Sequence, residues 1–219
     1  MVKGAKKGGR VRDKWRDKQW VVVNSPSAFG GGPLNYIPIT DPSMAIDRVI
    51  ENTMFDIMKQ DPTQHQIKVF VQINKITDGV ASTIFKGHEY AKEFLRSLVR
   101  RGSTKILYIH EYTTLDGHTF RVVFICFTQK RINSSKKHGI RMVAHQILSE
   151  KIPKMTVDQF AQEVTMGKLA AEVLTTANKI TILRHSGIEK TKLLSTPESR
   201  AIEEAKPVEG VQMTVDEHQ

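Results

Sequence analysis

Ile67-Lys68-Val69-Phe70-Val71-Gln72-Ile73-Asn74, read with the Asp78-Gly79 pair that follows, decides the fold class. Ile67, Val69, Val71 and Ile73 alternate with Lys68, Gln72 and Asn74, and a period of two belongs to a strand with one face against a core. Asp78-Gly79 supplies two residues that tolerate positive φ, as a tight hairpin requires, so residues 80–86 return as the partner strand. The pattern recurs downstream, with Lys105 to Thr113, Asp116-Gly117, then Thr119 to Phe127. Two such hairpins predict a sheet built largely from sequence neighbours.

Outward from these hairpins the pattern changes period. Residues 89–101 read as an amphipathic helix, with Tyr90, Phe94, Leu95 and Leu98 inward and Gly102 as its stop. Upstream, Trp20-Val21-Val22-Val23 reads as a short strand, and Pro26, Gly30, Gly31, Gly32 and Pro33 punctuate a loop. Asp41-Pro42 suits an N-cap and first helical residue. Met44 to Ile50 fits a short helix and Met54 to Met58 a strand, and periodicity alone leaves both open. Downstream, a helix over about 139–151 ends at Pro153. Thr156 and Gln159 form a capping box for a helical stretch to about Ala177, weakened or broken at Gly167. Ile180 to Leu194 reads as a last strand interrupted near Gly187. The sum is a mostly antiparallel α+β protein. Three segments follow: a basic arm at 1–19, a single α+β domain at 20–197 and an acidic tail at 198–219. Both ends lack the apolar content to fold alone.

The charge balance speaks about partners. Among 219 residues, 33 Lys and Arg stand against 23 Asp and Glu, a formal net charge of +10. Residues 1–18 carry eight bases and two acids, and 198–219 carry two bases and six acids, so the body between them is itself basic. Such an excess suits a polyanion that releases counterions on binding. Cys126 is the one cysteine, which excludes an internal disulfide framework and fits a reducing compartment. The start is basic and glycine-rich rather than apolar, unlike a signal peptide, and no run of 18 apolar residues marks a membrane span.

Enzyme chemistry finds little support. Gly30-Gly31-Gly32 lacks a following Lys-Ser or Lys-Thr, so it is not a phosphate-cradling loop. The eight histidines are scattered without metal-ligand spacing. Cys126, between Ile125 and Phe127, reads as an inert core thiol. No catalytic residue, metal, cofactor, small-molecule substrate or membrane partner is expected.

Basic segments carry the candidate site. The first is the arm, with Lys3, Lys6, Lys7, Arg10, Arg12, Lys14, Arg16 and Lys18 interleaved with Trp15. Its cations suit phosphates and its indole unpaired bases. Trp20, at the head of a strand, is equally suited to the core. The second runs from the end of the strongest strand: Lys130, Arg131, Asn133, Lys136, Lys137, His138 and Arg141, with no acid among residues 127–141. Crowded like charges repel unless an anion joins them, and Asn and Ser add hydrogen bonds to phosphate or sugar. A third group, Lys92, Arg96, Arg100 and Arg101 with Lys105, reads as an ordinary solvated helix face.

Three anchors make a resemblance specific. Lys18-Gln19-Trp20 leads to Ser25-Pro26 and Phe29. Arg48-Val49-Ile50-Glu51-Asn52-Thr53-Met54-Phe55-Asp56-Ile57 follows, with Asp47 and Met54 departing from the usual glycine or histidine and leucine. Asp116-Gly117 then precedes Arg121 through Phe127-Thr128-Gln129-Lys130-Arg131-Ile132-Asn133. Over roughly residues 10–195 the chain resembles the S-three-A-e family of archaeal and eukaryotic small-subunit ribosomal proteins, in an archaeal-type length. The resemblance implies a β-barrel-like core flanked by helices, with 51–58 a strand. It also implies a cytoplasmic, non-enzymatic place on the platform of the small (30S) subunit. There the partners would be small-subunit rRNA, neighbouring platform ribosomal proteins and mRNA near its exit. The rival expectations are a free RNA- or DNA-associated regulatory protein, and an enzyme whose site the motifs do not reveal.

Overall fold

The computed structural model describes Asp13, residues 15–197 and Arg200. In chain order it contains β1 (Gln19–Asn24), β2 (Pro33–Ile39), β3 (Val49–Thr53), α1 (Met54–Met58), β4 (Ile67–Thr77) and β5 (Val80–Tyr90). Then come α2 (Lys92–Leu98), β6 (Lys105–Thr113), β7 (Thr119–Thr128), α3 (Ser134–Lys151), α4 (Val157–Thr165), α5 (Lys168–Ala177) and β8 (Leu183–Ser195). The architecture is α+β. Two compact units divide the chain, one up to Lys86 and one from Gly87, so β5 begins in the first and ends in the second.

In the first unit the strands lie in the order β2-β1-β5-β4-β3. Val69, Val71 and Ile73 of β4 are buried while Lys68 and Gln72 are partly exposed and Asn74 is exposed, so the alternation is realised. Asp78 and Gly79 take φ of 50° and 78°, which makes the tight turn between β4 and β5. β1 pairs antiparallel with β2 and parallel with β5, and β3 pairs antiparallel with β4. Val21, Val23, Ile39, Ala45, Ile73 and Ala81 form the core of this unit. Among the described residues no backbone ladder closes the sheet, yet its outer strands meet: Asn35 Nδ2 in β2 donates to Asn52 Oδ1 in β3 at 2.9 Å. That curl is the barrel-like feature.

Residues 54–58 overturn one expectation. They form a helix, and only 51–53 keep the strand implied by the resemblance. Thr53 is the reason. Its hydroxyl accepts the Asp56 N–H at 3.2 Å, and the Asp56 carboxylate accepts the Thr53 N–H at 3.1 Å, a reciprocal cap that starts a helix. The bond from the Thr53 hydroxyl also holds the Asp56 carboxyl below its ordinary pKa. The helix expected within 44–50 is reduced to a 3-10 turn at Pro42–Ala45, followed by β3.

The second unit orders the end of β5, then β8, β7 and β6, all antiparallel. Phe120, Phe124 and Phe127 of β7 are buried. α3 buries Ile140, Ala144 and Leu148, one helical stripe at i, i+4, i+8, and α5 buries Leu169, Ala170, Val173 and Ala177. Phe160 of α4 meets Phe120 with ring centroids 4.9 Å apart. The Thr156–Gln159 capping box forms as read, and Gly167 at φ 74° separates α4 from α5 outright. Asp116 does more than turn the hairpin: its carboxylate accepts the Val157 N–H at 2.7 Å, at the first residue of α4.

Other differences have local causes. The helix expected over 89–101 is limited to Lys92–Leu98, because Glu89 and Tyr90 stay in β5, where Glu89 pairs with Lys190 of β8. β8 runs through Gly187 without interruption. A Cβ at Gly187 would lie 2.5 Å from the Tyr90 Oη, so the glycine makes room for a ring rather than a break. His88 is wholly buried; Thr191 Oγ1 lies 2.8 Å from its Nδ1, and Ile188 O 2.9 Å from its Nε2. Burial lowers its pKa to about 4. Cys126 is equally enclosed, and burial pushes its thiol up to about 12, as an inert core thiol requires.

Candidate nucleic-acid interface

Two threonines fix the backbone from which the second basic segment projects. Thr128, at the end of β7 and fully buried, donates its hydroxyl to Lys130 O at 2.6 Å and accepts the Thr104 N–H at 3.0 Å. Thr104, also buried, accepts the Ile132 N–H on its own hydroxyl at 3.3 Å. Gln129 N–H donates to Ile182 O at 3.2 Å. The loop is thereby tied on both sides while Lys130 and Arg131 stay exposed.

α3 begins at Ser134, five residues before the expected start, so the basic run is half loop and half helix. Asn133 is the N-cap residue but makes no side-chain cap bond, and the first turn holds no acid. Lys136 and His138 are exposed and Lys137 is half-buried at this end. Cations there face the positive end of the helix dipole and the unpaired N–H groups of the first turn. An anion reverses that repulsion and supplies the missing acceptors. Among the described residues Lys130, Arg131, Lys136 and Lys137 form no ion pair. Arg141, further along, is exposed and donates its Nε–H to Leu107 O at 3.0 Å, which steadies its guanidinium against β6.

The arm is described only in part. Lys3, Lys6, Lys7, Arg10, Arg12 and Lys14 lie outside the described residues, as does the acidic tail except for Arg200. Trp15 is 61% exposed with Lys18 Nζ 3.7 Å from its ring centroid, and Arg16 is exposed beside it. Trp20 is 65% exposed, so its indole lies outside the core. Tyr36, on the paired strand β2, is 67% exposed.

The third basic group divides. α2 ends at Leu98, and Arg100 and Arg101 belong to the turn beyond it rather than to a helix face. They line a cleft of about 410 Å³ together with Ser103, Gln129 and Arg184. Nothing in the local sequence joins Arg184 to Arg100. The only hint available was a third basic residue near the start of the last strand.

A hydroxyl–imidazole network lies elsewhere, where α3 meets β6. Tyr108 Oη is 2.6 Å from His145 Nδ1, with Ser149 Oγ 3.2 Å from the same nitrogen and Tyr112 Oη 3.2 Å from Tyr108 Oη. These bonds join the edge strand to the helix. Among the described residues no group of three or more His, Cys, Asp or Glu could hold a metal ion, and no helix is long and apolar enough to cross a membrane.

An α+β scaffold that presents an acid-free run of cations from a locked backbone defines a class: a basic scaffold suited to an anionic ligand. Comparison with known proteins makes the class particular. The sequence profile of the Ribosomal S3Ae family matches residues 6–197. Small ribosomal subunit protein eS1 of Desulfurococcus amylolyticus is 42% identical over 187 residues, 85% of this chain and 87% of the relative. The protein of the same name from Saccharolobus solfataricus is 38% identical over 193 residues, 88% and 92% of the two chains. That from Staphylothermus marinus is 37% identical over 187 residues. The chain belongs to the Ribosomal S3Ae family.

Proposed function

We propose that this protein is a structural constituent of the small ribosomal subunit. It binds small-subunit rRNA on the platform near the mRNA exit, beside neighbouring ribosomal proteins, and acts in translation in the cytoplasm without catalysis. Its family membership and the names of its relatives support the particle. The observation that carries the rRNA contact is the start of α3, where Lys130, Arg131, Lys136 and Lys137 crowd a helix N-terminus with no acid in its first turn. Lys and Arg neutralise phosphates there, while Asn133 and His138 donate hydrogen bonds to phosphate or sugar. The arm is a second basic segment, whose exposed Trp15 and Trp20 suit stacking on unpaired bases. Shape and charge are read rather than base sequence.

The experiment is replacement of Lys130, Arg131, Lys136 and Lys137 by alanine in the full chain. Incorporation into 30S particles, followed by sedimentation, falls while the melting temperature stays within a few degrees. A collapse of melting would make these residues structural instead. With about 6–10 phosphate contacts, wild-type affinity for bare rRNA falls roughly 10³–10⁵-fold between 50 and 200 mM salt. A flat salt response, or a protein that stays in the soluble fraction, would favour a free nucleic-acid-associated regulator.

A further inference from the structure

Arg100, Arg101 and Arg184 face one cleft from two directions. Arg100 and Arg101 stand on the turn after α2, which Ser103 fixes by donating its hydroxyl to Arg100 O at 2.6 Å. Arg184 stands near the start of β8, where its guanidinium donates to Leu98 O and lies 6.0 Å from the Phe127 ring centroid. The opposite wall is held by the Gln129 N–H bond to Ile182 O. Both walls are thus set by hydrogen bonds within the chain before any ligand arrives. Among the described residues no carboxylate lines the cleft, and neither Arg100 nor Arg101 forms an ion pair.

Three guanidinium groups around about 410 Å³ repel one another unless an anion sits between them. Guanidinium forks match phosphate oxygens in pairs, which a point charge does not. The position adds the source of that phosphate. Gln129 lines the cleft and the next two residues are Lys130 and Arg131, so the cleft continues the basic segment.

We infer that this cleft is a phosphate-binding subsite for a single RNA strand that runs on from Lys130 and Arg131. The inference rests on the proposed rRNA contact and extends it to three residues separated in sequence. An internal phosphodiester and a terminal phosphate share the required chemistry.

The test uses the full chain and a single-stranded RNA oligomer, with and without a 5′ phosphate, titrated across salt. R100A/R101A is the variant, because Arg184 also holds the Leu98 carbonyl. Its slope of log affinity against log salt drops by about 0.7–1.4, the contribution of one or two phosphates on a single strand. Affinity at moderate salt weakens roughly tenfold, the scale of a charge-assisted pair. R100K/R101K restores the slope and not the full affinity. Loss with both oligomers assigns the cleft to the backbone, and loss with the phosphorylated one alone assigns it to a strand end; either supports the subsite. An unchanged R100A/R101A slope, or an equal loss in the control K75A/K179A, overturns it. If R100A/R101A is silent while the alanine variant of Lys130, Arg131, Lys136 and Lys137 loses binding, the subsite alone fails. If both are silent, the rRNA reading fails with it.

Discussion

His88 occupies β5 with no exposed surface, and its ring nitrogens are matched to one acceptor and one hydroxyl. The Ile188 carbonyl can only accept, so Nε2 carries the proton and the Thr191 hydroxyl donates to Nδ1. A second proton would have to displace that bond in a fully buried site. The folded pKa of about 4 lies below the free value of 6.5, so the unfolded chain takes the proton first. Stability is therefore complete above about pH 6.5 and declines as pH falls toward 4, by roughly 3 kcal/mol from this residue. Denaturant titration at pH 7 and 4.5 measures it. His88→Gln, which cannot titrate, flattens the pH dependence, and an undiminished acid slope in that variant would acquit His88. Gly187 makes a second residue-level case. Adding one methyl group there drives a carbon into the Tyr90 hydroxyl, so Gly187→Ala loses about 1–3 kcal/mol by overpacking. A thermal melt equal to wild type would mean that Tyr90 swings away freely.

At the scale of elements, the start of α3 sets stability against binding. Lys136→Glu with Lys137→Glu puts acid where the dipole favours it, and each change contributes about 0.3–1 kcal/mol of stability. The same pair of changes weakens RNA binding. A variant that melts higher and binds RNA as well as wild type would remove the helix start from the interface. The elements also show what a sequence discloses. Both hairpins were legible because Asp-Gly turns and two-residue alternation are local signals, and the Thr156 capping box was legible for the same reason. The first turn of α3 was hidden because Ser134, Ser135, Lys136 and Lys137 carry no apolar residue to announce a helical period. α1 was hidden because its signal is the cap at Thr53–Asp56 and not the apolar pattern of the five residues that follow. α2 was overextended because Tyr90 is apolar for a sheet reason, its ring packing over Gly187 across the neighbouring strand.

For the whole molecule, a contiguous basic segment can be read off a chain and a cleft cannot. Lys130 to Arg141 stood out as a run, and the structure places most of it on one loop and one helix start. Arg100 and Arg184 meet only because β8 returns beside β7, a long-range pairing with no local mark. Trp20 was ambiguous for a similar reason: strand alternation says which residues share a face, and only the assembled sheet says which face is covered. The wholly enclosed thiol of Cys126 has a practical result for mapping the particle. Alkylating reagents leave the native chain unlabelled until it unfolds, so no background mutation is needed. A cysteine introduced for Met142, half-exposed on α3, then becomes the sole attachment point for a tethered cleavage reagent, and the strand scissions it produces report which nucleotides lie nearby.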